Sequence, residues 1–470
     1  MTPQESIDYA HKQGAQMVDL KFTDMLGTWQ HLTIPLHQLK DSMFEEGMGF
    51  DGSSCRGWRV INESDMVLMP DPSTAKMDPF AEIPTVSLLC DVVMPETLTP
   101  YDRDPRQIAK KALAYLSSTG IADTAYFGPE AEFFIFDDIR YSQTQYGGFY
   151  QIDSEAGEWN SGREEGGSNL GFKPRHKGGY FAAMPMDNLH DMRTEICLEL
   201  EKLGMTVERH HYEVACAQCE INYQFNELVR SADDLQWFKY VVKNVARRHN
   251  KTATFMPKPL YGDNGSGQHV HMSLWKGGKN LFAGNQYAGL SETALFFVGG
   301  ILKHAPSLCG FTNPITNSYK RLVPGFEAPI KLAYSFKNRS AAVRIPNTGD
   351  NPKSKRIEFR TPDSGSNPYL SFAALLMAGI DGIQNRIHPG DPLDKDIYGL
   401  PPQEAAKVPS IPGTLDQTLQ NLSLKHDFLL KGEVFSKDFI ENWITYKTEK
   451  EVLPNQMRPT PYEFQMYYDL

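Results

Sequence analysis

The run EAEFFIF at residues 130–136 sets two carboxylates, Glu130 and Glu132, two positions apart and then turns wholly apolar. A β-strand sends residues i and i+2 to the same face, so both acids would leave the mouth of a buried strand on one side. Two further runs share the pattern: His269-Val270-His271 and Glu358-Phe359-Arg360. As strands of one sheet they place carboxylates, imidazoles and a guanidinium on one face and apolar side chains on the other. Burying that much charge without partners is very costly. A solvated strand face accounts for any one of these pairs, but not for several in one domain. The face must hold cations and an anionic substrate, so the chain reads as an enzyme.

Working outward, Glu213 and Glu220 bracket EVACAQCE, and from Glu220 the pattern EINYQFN alternates, with Glu220, Asn222, Gln224 and Asn226 on one side. Five carboxylates (Glu130, Glu132, Glu213, Glu220, Glu358) with His269 form an oxygen-rich donor set. Such sets suit Mg²⁺ or Mn²⁺, whereas structural zinc prefers sulfur and nitrogen. Two divalent ions nearly balance the five acids, and a nucleotide triphosphate adds roughly −4. Cationic side chains must supply the rest. Arg321, Arg339, Arg344, Arg356 and Arg360 fall in one short stretch, and arginine is the preferred fork for phosphates and carboxylates.

Two loops read as gates. NGSG at 264–267 allows close backbone approach to a ligand, and YKRLVPGFEAP at 319–329 carries Glu327 on an irregular flap. Between 145 and 181 lie nine glycines with little periodicity, the composition of a lid. Cys216-Ala-Gln-Cys219 is a lone CxxC; with no second pair and two flanking glutamates, a redox or zinc role is the lesser reading. Neither a Walker A motif nor GxGxxG occurs, so a nucleotide must bind without a P-loop.

At 470 residues the chain exceeds one core. Residues 15–36 read as a hairpin turning at Gly27, followed by the glycine-rich GMGFDGSSCRGW (47–58) and apolar strands near Val67 and Val86. The polar, proline-bearing PETLTPYDRDP (95–105) precedes a helix at about 106–116 and sets a boundary: a small strand-rich domain at 1–103 and a larger one at 104–470. Helices follow at 191–203, with Gly204 as stop, at about 232–248, and after Pro368. With 40 % hydrophobic and 22 % charged residues the composition is that of a soluble globular protein. The net charge of −11 argues against nucleic-acid binding. Six cysteines make no disulfide framework. The N-terminus lacks the pattern of a secretory signal, and the most apolar helix candidate, Phe372 to Ile380, is too short to span a bilayer. The expectation is a cytoplasmic enzyme without membrane contact.

The segments FDGSS (50–54), GPEAEFF (128–134), HHYEVACAQCE (210–220), GDNGSGQHVHMSLW (262–275), NPITNSYKRLVPGFEAP (313–329) and NPKSKRIEFR (351–360) resemble type I glutamine synthetase, from about residue 15 to the C-terminus. The resemblance implies an α+β fold: an N-terminal β-grasp domain, then a catalytic domain whose curved antiparallel sheet forms a funnel. It implies a dodecamer of two stacked hexameric rings with active sites between subunits, and ligation of ammonia to glutamate by ATP through γ-glutamyl phosphate. Carried onto this chain, Glu132, Glu213 and Glu220 resemble the ligands of a first metal, and Glu130, His269 and Glu358 those of a second. Glu132, Asn264, Gly265, Arg321, Glu327 and Arg360 match glutamate-contacting positions. Glu208, Phe225, His271, Ser273, Arg344, Lys353 and Arg356 match nucleotide-contacting positions, with Arg339 near the transferred phosphoryl group. Asp51, helped by Ser54 and Tyr180, resembles the residue that collects ammonium and takes its proton. Tyr398 in DKDIYGLPP resembles the tyrosine modified by an adenylyltransferase. Two segments depart from the family's pattern: its usual EVATAGQ reads EVACAQ here, one residue shorter and without its glycine, and Gly399 replaces a common acid. The rivals are a related ligase that uses an amine, and a silent structural homologue; the latter would be expected to lose metal ligands, and all six are present.

Overall fold

The computed structural model describes residues 1–470 apart from 59, 60 and 165. A first sheet is built from β1 (Met17–Thr23), β2 (Trp29–Pro35), β3 (Met48–Asp51), β4 (Asp65–Pro70), β5 (Lys76–Met77) and β6 (Thr85–Val93), in the order β2-β1-β6-β4-β3 with β5 beside β6. The expected hairpin is β1–β2, and Gly27 takes φ +90° at its turn, a backbone state that costs a side chain dearly. β1 and β6 run parallel while their neighbours are antiparallel. This is the β-grasp arrangement.

The second sheet holds the long β7 (Thr124–Phe136), and the chain then leaves it for a hairpin, β8 (Asp138–Gln143) and β9 (Gly148–Asp153). It returns with β10 (Val207–Tyr212), β11 (Gln218–Tyr223), β12 (Asn226–Glu227), β13 (Thr252–Thr254), β14 (Gln268–Lys276), β15 (Lys279–Asn280), β16 (Tyr334–Phe336), β17 (Val343–Ile345) and β18 (Ile357–Phe359). The strand order is β10-β11-β7-β14-β18-β17-β16, with short additions on β7 and β14. The curled sheet is antiparallel as expected except for β16–β17, which pair in parallel. Their short link doubles back through Lys337 at φ +60°. The lid read at 145–181 is only partly irregular, because β9 claims its first residues.

Helices Pro105–Ser118, His190–Lys202, Leu228–Arg248 and Pro368–Gln384 cover the sheet's apolar side, and Glu292–Thr312 packs behind them on the last of these. Met192, Ile196, Leu200 and Leu203 are buried as their spacing predicted. The third of these helices starts four residues before its expected beginning, where β12 hands the chain straight into it. The helix Glu292–Thr312 is long and apolar enough to cross a membrane, yet 78 % of its most apolar stretch lies buried inside the fold. It packs on Pro368–Gln384 through glycines: a Cβ on Gly300 would collide with Ala378 O, and one on Gly382 with Phe296 O. Such contact needs bare backbone on both sides.

Arg106 joins the two sheets' territories. Its guanidinium, 4 % exposed, meets Asp71 (2.8 Å) and Asp91 (2.7 Å) from the first and Asp233 (3.0 Å) from the second.

Candidate active site

β7 is the spine of the site. Register sets His269 of β14 opposite Glu130, and Glu220 of β11 opposite Glu132. Beyond them, His271 pairs with Glu358 on β18, Glu358 with Arg344 on β17, and Glu220 with His211 on β10. Side chains directly opposite on neighbouring strands share a face, so one stripe of polar groups crosses six strands. The three sequence pairs are brought together as their alternation predicted.

Glu213 arrives from the turn after β10, the segment that is one residue short. Its N–H donates to Gln218 O (2.9 Å), Gln218 N–H donates to Ala215 O (3.2 Å), and Ala217 takes φ +62° where a glycine would be unstrained. The Ala217 N–H is held by Tyr212 Oη at 2.6 Å. The turn therefore closes without its glycine, and His211, Glu213 and Glu220 each offer a ligand atom within 4.8 Å of the others. Gln218, which the sequence reading passed over, donates from Nε2 to Glu132 Oε2 (2.9 Å) and ties the turn to the spine. His211, also unassigned, stands 3.5 Å from Glu213 and 3.9 Å from Glu220. The signal for both was available: each sits in register with, or two residues from, a predicted ligand.

The electrostatics divide the stripe in two. Around Glu132, Glu213 and Glu220 burial and mutual repulsion oppose ionisation. Burial and then Glu220 push Glu132 up to about 8, Glu213 lies well above the carboxylate range, and Glu220 is raised by burial and Glu130. On the other half the acids are ionised. Glu358, fully buried, is gripped by Arg344 Nε and by Arg360 Nη1 at 2.6 Å. Burial opposes its charge, yet Arg360 and His271 outweigh that and hold it at about 2. Glu130 is likewise held low against burial by His271 and His269.

The two histidines differ in duty. Arg356 Nε donates to His271 Nδ1 at 3.1 Å, and a guanidinium cannot accept, so His271 carries its proton on Nε2 and donates to Glu130 Oε1 at 3.0 Å. His269 Nδ1 stands 3.6 Å from Glu130 Oε2 and 3.7 Å from Glu358 Oε1, too far for hydrogen bonds. Burial and Arg360 push it down to about 4, so it is a neutral imidazole with a nitrogen facing two carboxylates.

Cavities flank the spine on both sides. One of about 460 Å³ is bordered by Glu130 and by Glu208, Phe225, His271, Ser273, Lys353 and Arg356. Six of the eight expected nucleotide contacts thus meet in one chamber. Arg344 is turned to Glu358 instead, and Arg339 is exposed, its carbonyl accepting from Arg360 Nε at 3.2 Å. Arg209 and Lys355 line the chamber as well and were not anticipated. The second cavity is only about 30 Å³ and is bordered by Glu132, Asn264, Gly265, Arg321, Glu327 and Arg360. All six expected glutamate contacts surround it. That is room for a water or two, and Phe326 and Glu327 of the flap, the latter at φ +56°, border it. Lys177 of the lid donates to Gly325 O (3.1 Å), and Lys177 and Lys258 both stand 4.1 Å from the Phe326 ring centre.

The lid also delivers Tyr180. Gly179 N–H donates to Val214 O (3.1 Å) and Phe181 N–H to Tyr212 O (3.1 Å), and a Cβ on Gly179 would collide with Glu213 O. Tyr180 therefore lies on the His211 ring, at 5.4 Å between centres, where burial and Glu213 raise its pKa.

Asp51 and Ser54 border neither cavity. They sit at the end of β3 in the first sheet, where Ser53 Oγ (2.6 Å) and Ser54 Oγ (2.7 Å) donate to the exposed Asp51. Tyr398 is 41 % exposed beside the flap; burial of its ring edge sends its hydroxyl to about 12, against the pull of Arg360 and Arg321. Cys216 and Cys219 are free, buried thiols that burial pushes to about 12 and about 11, which supports neither a thiolate nor a metal role for them.

Comparison with known proteins agrees with this geometry. Residues 14–95 match the model of the glutamine synthetase β-grasp domain and residues 102–467 that of the glutamine synthetase catalytic domain. The chain is 57 % identical to a glutamine synthetase of Nostoc sp. and covers 100 % of both chains. It is 56 % identical to one of Streptomyces coelicolor, over 97 % of each. Among solved structures it is similar to Plasmodium falciparum glutamine synthetase, with a TM-score of 0.90, 31 % identity and coverage of 100 % and 99 %. It is also similar to a GmaS/ADP complex, with a TM-score of 0.84, 28 % identity and full coverage of both. With its sheet, its acid-and-imidazole stripe and its full-length relatives all in agreement, the chain belongs to the glutamine synthetase family of glutamate–ammonia ligases.

Proposed function

We propose that the 460 Å³ chamber takes ATP, that the small pocket takes L-glutamate, and that the γ-phosphoryl group crosses between them over β7. One observation carries this: Glu130 faces the larger cavity and Glu132 the smaller, although they are two residues apart on one strand. A carboxylate is a poor acyl donor, since its leaving group would be an oxide. Phosphorylation of the glutamate side chain by ATP gives ADP and an acyl phosphate; ammonia then attacks its carbonyl carbon and expels phosphate, leaving the amide. Bringing two anions together needs fixed positive charge, which Arg339, Arg344 and Arg360 provide. The flap, with Phe326 and Glu327 at the pocket's border, keeps water from the acyl phosphate. Arg321, buried and fixed by Thr361 O (2.8 Å) and Pro362 O (3.3 Å), presents a rigid cation to glutamate.

The donor chemistry fits two divalent ions, Mg²⁺ or Mn²⁺. Glu132, Glu213 and Glu220 would hold one, and Glu130, His269 and Glu358 the other. Crowded acids whose mutual repulsion a divalent ion would relieve, and a neutral imidazole facing two carboxylates, suit such ions. When bound, they neutralise phosphate charge and orient the reacting oxygens. Asp51 and Ser54 would come from a neighbouring subunit to meet Tyr180 and remove a proton from ammonium. Their exposure outside both cavities supports a shared site. Exposed Tyr141, Tyr146, Phe149 and Tyr150 on the β8–β9 hairpin, and Phe464 and Tyr468 near the C-terminus, are surfaces for further subunits of a dodecamer. On the same proposal the two domains meet at 103/104, the enzyme works in the cytoplasm, and Tyr398 beside the flap is an adenylylation site.

The direct test is phosphate release by the purified full-length chain. It is expected to need ATP, glutamate, ammonium and a divalent ion together, and to prefer ammonium over methylamine. Equal release without glutamate, or better turnover with methylamine, would overturn the assignment.

The acidic cluster adds a pH signature. Glu132 has a folded pKa of about 8, raised above the usual carboxylate value of 4.5. Without an ion, the folded chain keeps a proton that the unfolded chain releases. Stability from that proton is present below about 4.5 and is lost as pH rises toward 8. Mn²⁺ must displace the proton at pH 6 but not at pH 8.5. The thermal shift from Mn²⁺ should therefore be larger at pH 8.5, with affinity falling about tenfold per pH unit for each proton displaced. Calorimetry at both pH values checks this, and a pH-independent shift would refute it.

A further inference from the structure

A cavity of about 610 Å³ opens between the β1–β2 turn and the helix Leu228–Arg248, and it shares no bordering residue with either chamber of the active site. Lys239 and Lys243 line it, and no aspartate or glutamate does. The charge on its border is thus purely positive, although the chain has 58 acids against 47 lysines and arginines. Lys239 Nζ donates to Ser364 O (2.8 Å) and Ser366 O (3.2 Å). An ammonium has three hydrogens, so one is left over. Lys243, one helical turn on, lies over the Phe255 ring at 5.9 Å, with Lys239 over the same ring at 5.6 Å.

None of the residues bordering the cavity is a carboxylate that could pair with these two amines. Burial and then Lys243 push Lys239 down to about 7, and burial lowers Lys243 as well. Asp363, the carboxylate that acts on Lys239, is itself engaged by Asn313 Nδ2 (2.8 Å) and the Gly365 N–H (3.0 Å). An anion placed between the two amines would favour the protonated form that burial and their mutual repulsion disfavour, and would pair with both. Trp29, Tyr240 and Phe255 supply flat apolar walls, which suit a planar body. We propose that this cavity binds a small organic anion, its carboxylate or phosphate held by Lys239 and Lys243 and its flat body against Trp29, Tyr240 and Phe255.

The cavity backs onto the catalytic sheet. Ser364 Oγ stands 3.0 Å from both Glu132 O and Gly267 O, with its one hydrogen to share between them, and Gln268 Nε2 donates to Ser366 Oγ at 3.1 Å. The carbonyls that hold Lys239 thus belong to the loop that braces Glu132 and the start of β14.

The test titrates phenyl phosphate and phenylacetate, separately, into the assembled enzyme with ADP saturating the nucleotide chamber. At least one probe is expected to bind with a millimolar or tighter constant, and the stronger of the two identifies the preferred head group. Lys243→Glu should weaken that probe by about tenfold or more while turnover without probe stays unchanged; Lys239→Met should weaken it as well, and there turnover is free to change because the amine holds the loop that braces Glu132. A crystal of the complex should place the ring against Phe255. Absence of heat from both probes up to about 10 mM, or binding unchanged in Lys243→Glu, would overturn the proposal. So would an assembled structure in which a neighbouring subunit fills the cavity.

Discussion

Glu358→Gln is expected to lower kcat by about 10³-fold and to depress the melting temperature as well. The side chain is fully buried and serves two guanidinium groups at once, Arg344 through Nε and Arg360 through Nη1. Arg360 is itself only 4 % exposed. An amide keeps the shape but leaves both cations without a counter-charge, and uncompensated buried charge costs about 3–5 kcal/mol. The catalytic loss has a separate origin. Glu358 faces His269 across 3.7 Å and stands opposite His271 on the next strand. The substitution therefore takes a charged donor from the proposed second ion and frees Arg360 from its place beside the proposed glutamate pocket. Steady-state kinetics at saturating Mn²⁺, with a melting curve on the same sample, separates the two effects. A variant that melts early but keeps kcat within tenfold would show Glu358 to be a structural anion and nothing more.

The stripe was legible because period-two alternation is a local property. Glu130, Glu132, His269, His271 and Glu358 announce their faces by what lies between them, and the register then aligns them as neighbours. Gln218 was harder, since an amide two residues before a glutamate is ordinary; only its hydrogen bond to Glu132 Oε2 gives it a role. His211 carries no alternation signal of its own, and only its strand partner, Glu220, places it beside the acids. The helix Glu292–Thr312 escaped notice because Gly299, Gly300 and Pro306 look like breakers, while in the fold the glycines let two backbones touch. The β8–β9 hairpin lay partly inside a glycine-rich stretch whose composition hides its pairing. Asp51 poses a different problem. Its exposed position far along the first sheet has no meaning within one chain, and the sequence could relate it to the site by resemblance alone.

Mixing two inactive variants should therefore restore activity. Asp51→Ala removes the proposed ammonium acceptor and Glu327→Ala the acid on the flap; each alone is expected to retain little glutamine synthesis. If Asp51 serves the neighbour's site, a subunit with Asp51→Ala still has its own intact flap, and a subunit with Glu327→Ala still offers an intact Asp51. In a closed ring built head to tail, every site pairs one subunit's flap with the next subunit's β3 loop. Random co-assembly at equal amounts leaves both halves intact at about a quarter of the sites in such a heterologous ring. Dissociating the two variants, mixing them and reassembling should thus return about a quarter of the wild-type rate, whereas mixing without dissociation should return none. Were Asp51 to act within its own subunit, every site would carry one lesion or the other and no mixture would recover. The assay reads the arrangement directly, because no single mutant's residual rate enters the comparison.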